Sequence, residues 1–118
     1  MKYLCLVYHE EGSLEALTQA EYDALVDDAL AYKAELESTG RGLSANALQS
    51  VKTATSIRVR HGSVSITDGP FVETKEQLGG YYLIEATDLN DAIRLASKIP
   101  SARIGGVEVR PVNELRPE

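Results

Sequence analysis

The order of apolar segments along this 118-residue chain constrains the fold more than any other feature. An apolar run at residues 2–8 precedes a long helix-like segment, and the same strand–helix–strand order returns in the second half. The first run is apolar at successive positions, so both faces of that strand are expected to be buried, as in a central strand. Two such units joined by a hairpin predict an α+β fold of the ferredoxin-like, split β-α-β type with an antiparallel sheet.

Local signals set the boundaries of these elements. Thr18 and Glu21 form a capping box at the start of the first helix, and Gly40 ends that helix. Asp88 caps the second helix, which Pro100 ends. The remaining strands are predicted at residues 43–48, 53–60, 63–67, 81–86 and 107–112.

The two helices are expected to cover one face of the sheet. The other face then carries Leu, Tyr and Val side chains in contact with water, and an apolar face of this kind usually marks an interaction surface. A second copy of the chain is the simplest cover. The sequence therefore predicts a homodimer in which two sheets pack face to face.

Composition limits the classes of protein to which this chain can belong. A chain of this length with 43% apolar residues is sufficient for one domain, residues 1–118. The net charge of −6 argues against a nucleic-acid partner, which requires clustered basic residues. Cys5 is the single cysteine, so an intramolecular disulfide is impossible and a reducing cytoplasm is expected. The apolar run around Cys5 is too short to span a membrane, and we expect no membrane segment.

The segment Asp68-Gly69-Pro70-Phe71 interrupts the strand pattern. Gly tolerates positive φ, while Pro fixes φ and donates no hydrogen bond, so neither a strand nor a helix continues through it. Charged and amide residues follow at positions 73–77 before Gly79-Gly80. A constrained loop that carries both signs of charge is a plausible place for a site. Upstream, His61-Gly62 is predicted to form the two-residue turn of a hairpin.

The run from DGPF through ETKEQLGG into an aromatic strand resembles the DGPF family, a branch of the YCII-related proteins. The resemblance extends to the MKYLCLVY strand, the acidic first helix, the hairpin IRVRHGSVSITDGP and the terminal VEVRPV strand. It implies a dimeric α+β barrel of ferredoxin-like subunits with a polar cleft. For some relatives it also implies an association with extracytoplasmic-function sigma factors. Resemblance to the YCII branch proper would imply a His-Asp active site with the His on the first helix. Residues 18–39 contain no histidine here, so only Asp68 is carried over.

Two residues are candidates for acid–base chemistry. Asp68 could act as a general base in a cleft, or it could accept hydrogen bonds from its own turn as an Asx turn. His9 directly follows the first strand and titrates near physiological pH, but a loop histidine is more often simply exposed.

Four further residues are candidates for ligand binding. Lys75 and Glu73 could contact a polar ligand or form an exposed ion-pair cluster. Tyr8 and Tyr81 could line a pocket with an apolar ring and a polar tip, or pack in the core or the dimer contact.

The sequence contains no motif for a metal or a nucleotide cofactor. His9 and His61 have no metal-ligand spacing, and we predict neither a metal nor a cofactor. The predicted function is binding of a small polar or aromatic molecule beside the DGPF loop. A cofactor-independent acid–base step is a possible reaction there. The alternative is a non-enzymatic regulatory protein linked to sigma-factor-dependent transcription, with the acidic first helix meeting a basic partner.

Overall fold

The computed structural model describes residues 1–116, so the last two residues of the predicted 1–118 domain lie outside the described part. Within it the strands and helices are β1 (Lys2–Glu10), α1 (Glu11–Glu15), α2 (Gln19–Ser38), β2 (Gly42–Ala47), β3 (Thr55–Arg60), β4 (Ser63–Asp68), β5 (Glu76–Glu85), α3 (Leu89–Ala96) and β6 (Gly106–Pro111). Short 3-10 turns at Val51–Thr53 and Pro100–Arg103 precede β3 and β6.

Four strands form one antiparallel sheet in the order β2-β5-β1-β6. Strand β1 pairs with β5 on one side and with β6 on the other, so it is central, as its two apolar faces predict. Helix α2 connects β1 to β2, and α3 connects β5 to β6. This order is the ferredoxin-like arrangement, and the prediction of an antiparallel α+β fold is confirmed.

The core lies between the sheet and the two long helices. Alternate residues of β1, namely Tyr3, Cys5 and Val7, are buried against Tyr32 and Leu36 of α2 and the apolar side of α3. Burial raises the pKa of the Cys5 thiol to about 11, so Cys5 is a small buried hydrophobe and not a nucleophile, as the sequence indicates.

The predicted ends of α2 are confirmed. The Glu21 backbone N–H donates to Thr18 Oγ1 at 3.1 Å, and the Thr18 N–H donates to Glu21 Oε1 at 2.9 Å. At the other end Gly40 has φ +74°, a conformation that favours glycine. The Arg41 N–H then donates to the Leu36 carbonyl oxygen at 2.9 Å, which closes the helix and turns the chain into β2.

Helix α3 ends at Ala96, four residues before Pro100, and β3 begins at Thr55 because residues 51–53 form a 3-10 turn, so both of these predicted boundaries are wrong.

Two larger boundary errors involve one strand pair. Strand β1 continues through His9 and Glu10 because these residues pair with Gln77 and Glu76 of β5. Strand β5 therefore begins at Glu76 and includes Gly79-Gly80, which the sequence placed in a loop. Pairing between residues nearly 70 positions apart outweighs the weak strand propensity of glycine here.

Strands β3 and β4 form a separate two-stranded sheet, which we call the arm (residues 55–68). The predicted turn is confirmed, since His61 has φ 51° and Gly62 has φ 78°. The register pairs Ile57 with Ile66 and Val59 with Val64. The arm is therefore an insertion between β2 and β5 of the ferredoxin-like sheet.

Within residues 1–116, no helix combines the length and apolar character needed to cross a membrane.

One buried hydrogen bond joins the two long helices, because the Tyr32 hydroxyl donates to the Leu95 carbonyl oxygen at 2.6 Å. We expect Tyr32→Phe to lower the free energy of unfolding by about 0.5–1.5 kcal/mol through loss of this bond. Tyr22→Phe is the matched control, because Tyr22 is exposed on the same helix. Equal effects of the two substitutions in urea unfolding would contradict the assignment.

Asp91 connects three parts of the helical layer. It accepts from the Thr87 N–H at 2.9 Å, from Arg94 at 2.7 Å and from Arg41 at 2.5 Å. The Thr87 backbone bond, followed by the Arg94 side chain, lowers the Asp91 pKa from 3.8 to about 2. The carboxylate thus holds the residue before β2 against the first turn of α3.

Because the folded-state pKa is lowered, the stabilisation by Asp91 is present above the unfolded pKa and is lost as pH falls toward the folded value. We expect wild-type stability to decline between about pH 4 and pH 2 more steeply than that of Asp91→Asn. Urea unfolding over that range measures the difference. Asp27→Asn, at an exposed position of α2, is the control and should keep the wild-type slope.

Candidate functional site

The second face of the four-stranded sheet has no helix on it within residues 1–116, and we call it the open face. Strand register places Leu4, Leu6 and Tyr8 of β1 on this face, opposite Leu83, Tyr81 and Leu78 of β5. These six side chains are all half-buried. The open face is therefore a mostly apolar surface that continues to the end of the sheet where β1 finishes.

A cavity of about 1100 Å³ lies at that end of the open face. Its floor is formed by the ends of three adjacent strands, with Tyr8 flanked by Leu78 of β5 and Gly106 of β6. Four further groups complete the lining, from the segment after β2, the DGPF loop, the turn that leads into β5 and strand β6: Leu48, Gln49, Ser50, Val51, Thr53, Ala54, Pro70, Phe71, Val72, Thr74, Lys75, Glu76, Gln77, Val107 and Glu108.

The DGPF loop forms one wall of the cavity. Gly69 has φ +107°, which an L-residue rarely adopts, so the motif requires glycine there. The Gly69 N–H donates to the Ala54 carbonyl oxygen, and the Ser56 hydroxyl donates to the Gly69 carbonyl oxygen, each at 2.8 Å. Held in this way, Pro70 and Phe71 face the cavity, and the Arg58 guanidinium lies 4.2 Å from the Phe71 ring centroid.

The turn before β5 forms the adjacent wall. The Gln77 side-chain amide donates to the Thr74 carbonyl oxygen at 2.8 Å, and the Thr74 hydroxyl donates to the Glu76 carbonyl oxygen at 2.5 Å. Lys75 lines the cavity and pairs with Glu10 at 3.4 Å, rather than with Glu73 or Glu76. Since Lys75 is 83% exposed, this pair adds little stability and leaves the ammonium available.

Two of the six predicted site residues, Tyr8 and Lys75, line the cavity. His9 does not, because neighbours on a strand point to opposite faces and Tyr8 occupies the cavity side. The His9 ring packs against Gly79, and its Nδ1 lies 3.1 Å from the Glu10 carbonyl oxygen.

Asp68, Glu73 and Tyr81 also lie outside the cavity lining. Asp68 is exposed at the end of β4, paired with Thr55. Within residues 1–116 its carboxylate accepts no hydrogen bond, so the predicted Asx turn is absent because the strand ladder directs the side chain to solvent. The chain by itself does not bring Asp68 and His9 into this cavity.

Tyr81 has a polar environment of its own on the open face. Its hydroxyl lies 3.2 Å from Ser44 Oγ and accepts from the Asn46 amide at 2.9 Å. These hydrogen bonds, that of Ser44 first, lower the pKa of Tyr81. Tyr81 is thus held by β2 and not by the DGPF loop.

Most of the cavity wall after β2 could not be predicted from the sequence. Residues 48–54 carry no motif, and their role follows from the 3-10 turn that folds them over the sheet end. Ser50 Oγ donates to Glu11 Oε1, which ties this turn to α1. One signal was available in the DGPF loop, since Phe71 and Val72 are large apolar residues in an otherwise polar segment.

Within residues 1–116, no group of three or more His, Cys, Asp or Glu side chains is arranged to hold a metal ion.

The fold and the site together define a class of protein. It is a ferredoxin-like α+β domain with an open sheet face and a cavity at one end of the sheet. The model of the YCII-related domain family matches residues 1–116, and the chain belongs to that family. An uncharacterized protein of Rhizobium meliloti (strain 1021) is 32% identical over 119 residues, which cover 99% of this chain and 96% of that protein.

A solved structure with a similar fold is 5-chloro-2-hydroxyhydroquinone dehydrochlorinase from Burkholderia phenoliruptrix AC1100, in complex with 2,5-dihydroxybenzoquinone. Its TM-score is 0.57 at 14% identity, over 96% of this chain and 94% of that chain. At this identity the similarity concerns the fold.

The cavity floor depends on a close approach between Gly105 and β1. A methyl group at Gly105 would overlap the Tyr8 carbonyl oxygen, whereas the space at Gly106 is open. We expect Gly105→Ala to lower the free energy of unfolding by about 1–3 kcal/mol. The neighbouring Gly106→Ala is the control and should change it little. Similar losses for both variants in chemical denaturation would refute this packing.

Proposed function

We propose that the cavity beside the DGPF loop binds a small ring-containing molecule with oxygen substituents. The observation that carries the proposal is the mixed lining, in which eight apolar side chains and the Tyr8 ring lie beside eight polar or charged side chains. Apolar contact area with convergent polar groups is what a pocket for a small molecule requires. Leu48, Leu78 and Phe71 would contact the ring. The Tyr8 hydroxyl and the Lys75 ammonium can donate to a carbonyl or phenolate oxygen, while Glu108 can accept from a hydroxyl.

The fold neighbour gives this proposal a concrete probe. It was solved with 2,5-dihydroxybenzoquinone, a six-membered ring with four oxygen substituents. A ring of that size fits easily within about 1100 Å³. Hydroquinone is a second probe that keeps two hydroxyls and lacks the carbonyls. Since a phenol hydroxyl both donates and accepts hydrogen bonds, weaker binding of hydroquinone than of 2,5-dihydroxybenzoquinone would measure what the two carbonyl groups add.

Binding is measured by saturation-transfer NMR and isothermal calorimetry. We expect Leu48→Ala to weaken binding of 2,5-dihydroxybenzoquinone by about tenfold, the loss expected when about 1.4 kcal/mol of apolar contact is removed. Leu43→Ala is the matched control, because the two leucines are 48% and 47% exposed and only Leu48 lines the cavity. No saturable binding of either probe, or equal weakening by both variants, would refute the proposal.

Neither Asp68 nor His9 takes part in binding of this kind. Their acid–base roles stay predictions, and Asp68→Asn is expected to leave the affinity for the probe unchanged because Asp68 lies outside the lining. The sigma-factor alternative also stays a prediction. On the acidic helix that it would use, Asp28 already pairs with Arg103 at 3.0 Å.

We further propose that the protein is the homodimer expected from its sequence. The open face supports this, because Leu4, Leu6 and Leu83 form an apolar strip without a helix over it. Two such faces packed together would bury both strips and would extend over the cavity floor at Tyr8.

A further inference from the structure

The polar face of the arm is in contact with the DGPF loop. Because alternate residues of a strand share a face, Ser56, Arg58 and Arg60 of β3 lie together on it. The Ser56 hydroxyl donates to the Gly69 carbonyl oxygen at 2.8 Å. Two residues further along β3, the Arg58 guanidinium lies over the Phe71 ring. This face of the arm therefore holds the loop at two points, one on its backbone and one on a side chain.

The contact between Arg58 and Phe71 has the geometry of a cation–π interaction. Arg58 Cζ lies 4.2 Å from the ring centroid, inside the limit of roughly 6 Å for such a pair. None of the ion pairs formed within residues 1–116 includes Arg58. Since no carboxylate in that part of the chain pairs with the guanidinium, its charge acts on the ring.

The same ring is part of the cavity wall. Phe71 lines the cavity and is 60% exposed, whereas Arg58 is not a lining residue. The guanidinium therefore covers the ring from outside the cavity. The uncovered side of the ring is a flat apolar surface on which a ligand ring can stack.

A cation on one face of an aromatic ring changes what the other face binds. Each face of such a ring is negative, and a cation attracts the π electrons toward itself. The uncovered face of Phe71 is consequently less negative than that of an isolated phenylalanine. It repels the π electrons of an electron-rich ring less, and the guanidinium charge attracts them. An electron-poor ring, whose face carries little negative charge, gains less from this arrangement.

We propose that Arg58 is a positioning residue that acts through Phe71 and makes the cavity selective for electron-rich, hydroxylated aromatic rings over electron-poor rings. The guanidinium fixes the Phe71 ring in the wall and polarises it. This inference rests on the proposed function, because it specifies which rings the cavity prefers among those with oxygen substituents.

The contact itself can be observed without a ligand, because Phe71 is the single phenylalanine of the chain. Labelling with 4-fluorophenylalanine therefore gives one fluorine NMR signal. We expect Arg58→Gln to shift this signal, and Arg58→Lys to shift it less because lysine keeps the positive charge.

Arg60→Gln is the matched control for this measurement. Arg60 lies on the same face of the same strand, but its guanidinium donates to the Val59 carbonyl oxygen at 2.9 Å. An unchanged signal in Arg58→Gln, or an equal shift in Arg60→Gln, would overturn the contact and the proposal with it.

Two matched phenols test the selectivity. 4-Methoxyphenol and 4-cyanophenol each carry one hydroxyl and are similar in size, and both stay largely uncharged at about pH 6, since phenols titrate above that pH. The methoxy group enriches the ring in electrons, and the cyano group depletes it. The ratio of their two affinities, measured by isothermal calorimetry on unlabelled protein, therefore reports the preference for an electron-rich ring.

We expect Arg58→Gln to lower the ratio of 4-methoxyphenol affinity to 4-cyanophenol affinity by about twofold, at the lower end of what an exposed cation–π pair contributes. Arg58→Lys should restore most of the wild-type ratio, and Arg60→Gln should keep it. If Arg58 only holds the loop in place, Arg58→Gln weakens both phenols equally and the ratio does not change.

The outcomes separate this inference from the proposed function. If neither phenol nor 2,5-dihydroxybenzoquinone binds the wild type, the proposed function is wrong and the inference fails with it. An equal affinity ratio in the wild type and Arg58→Gln would overturn the inference alone. Binding of 2,5-dihydroxybenzoquinone without binding of 4-methoxyphenol would have the same consequence.

Discussion

The pairing of β1 between β5 and β6 is the constraint on which the rest of the structure depends. Because side chains alternate along a strand, this one ladder builds two surfaces at once. Tyr3, Cys5 and Val7 form the core with the helices, while Leu6 and Tyr8 supply the open face and the cavity floor. One face of β1 therefore belongs to the core, and its other face belongs to the candidate site.

The DGPF loop follows the last strand of the arm and forms one wall of the cavity. Gly69 is needed for its positive φ, and Pro70 and Phe71 follow directly into the lining. Ser56 and Ala54 anchor the turn through the Gly69 backbone. The signature is thus explained by backbone geometry and apolar contact, and Asp68, its most reactive-looking residue, is exposed at the strand end.

Much of the fold could be predicted because the signals were local. Thr18 with Glu21, Gly40 and the His61-Gly62 turn each act within four residues, and all three predictions are confirmed. The start of β5 could not be predicted, because Gly79-Gly80 are strand residues only through their pairing with β1 and β2. Propensity describes a segment alone, and pairing depends on distant partners.

The predictions for the candidate site also divide into those that local sequence supports and those that need the tertiary structure. Tyr8 and Lys75 were singled out from a strand end and a tight loop, and both line the cavity, while their role in binding stays a prediction. The separation of His9 from Tyr8, and of Asp68 from the cavity, required the structure, because a register decides which face each side chain joins. The sequence by itself determined the elements, the central strand and the two-faced arm through local sterics and apolar periodicity. Only the tertiary structure decided which side chains share a cavity and which apolar faces lack cover, because both depend on contacts between segments far apart in the chain.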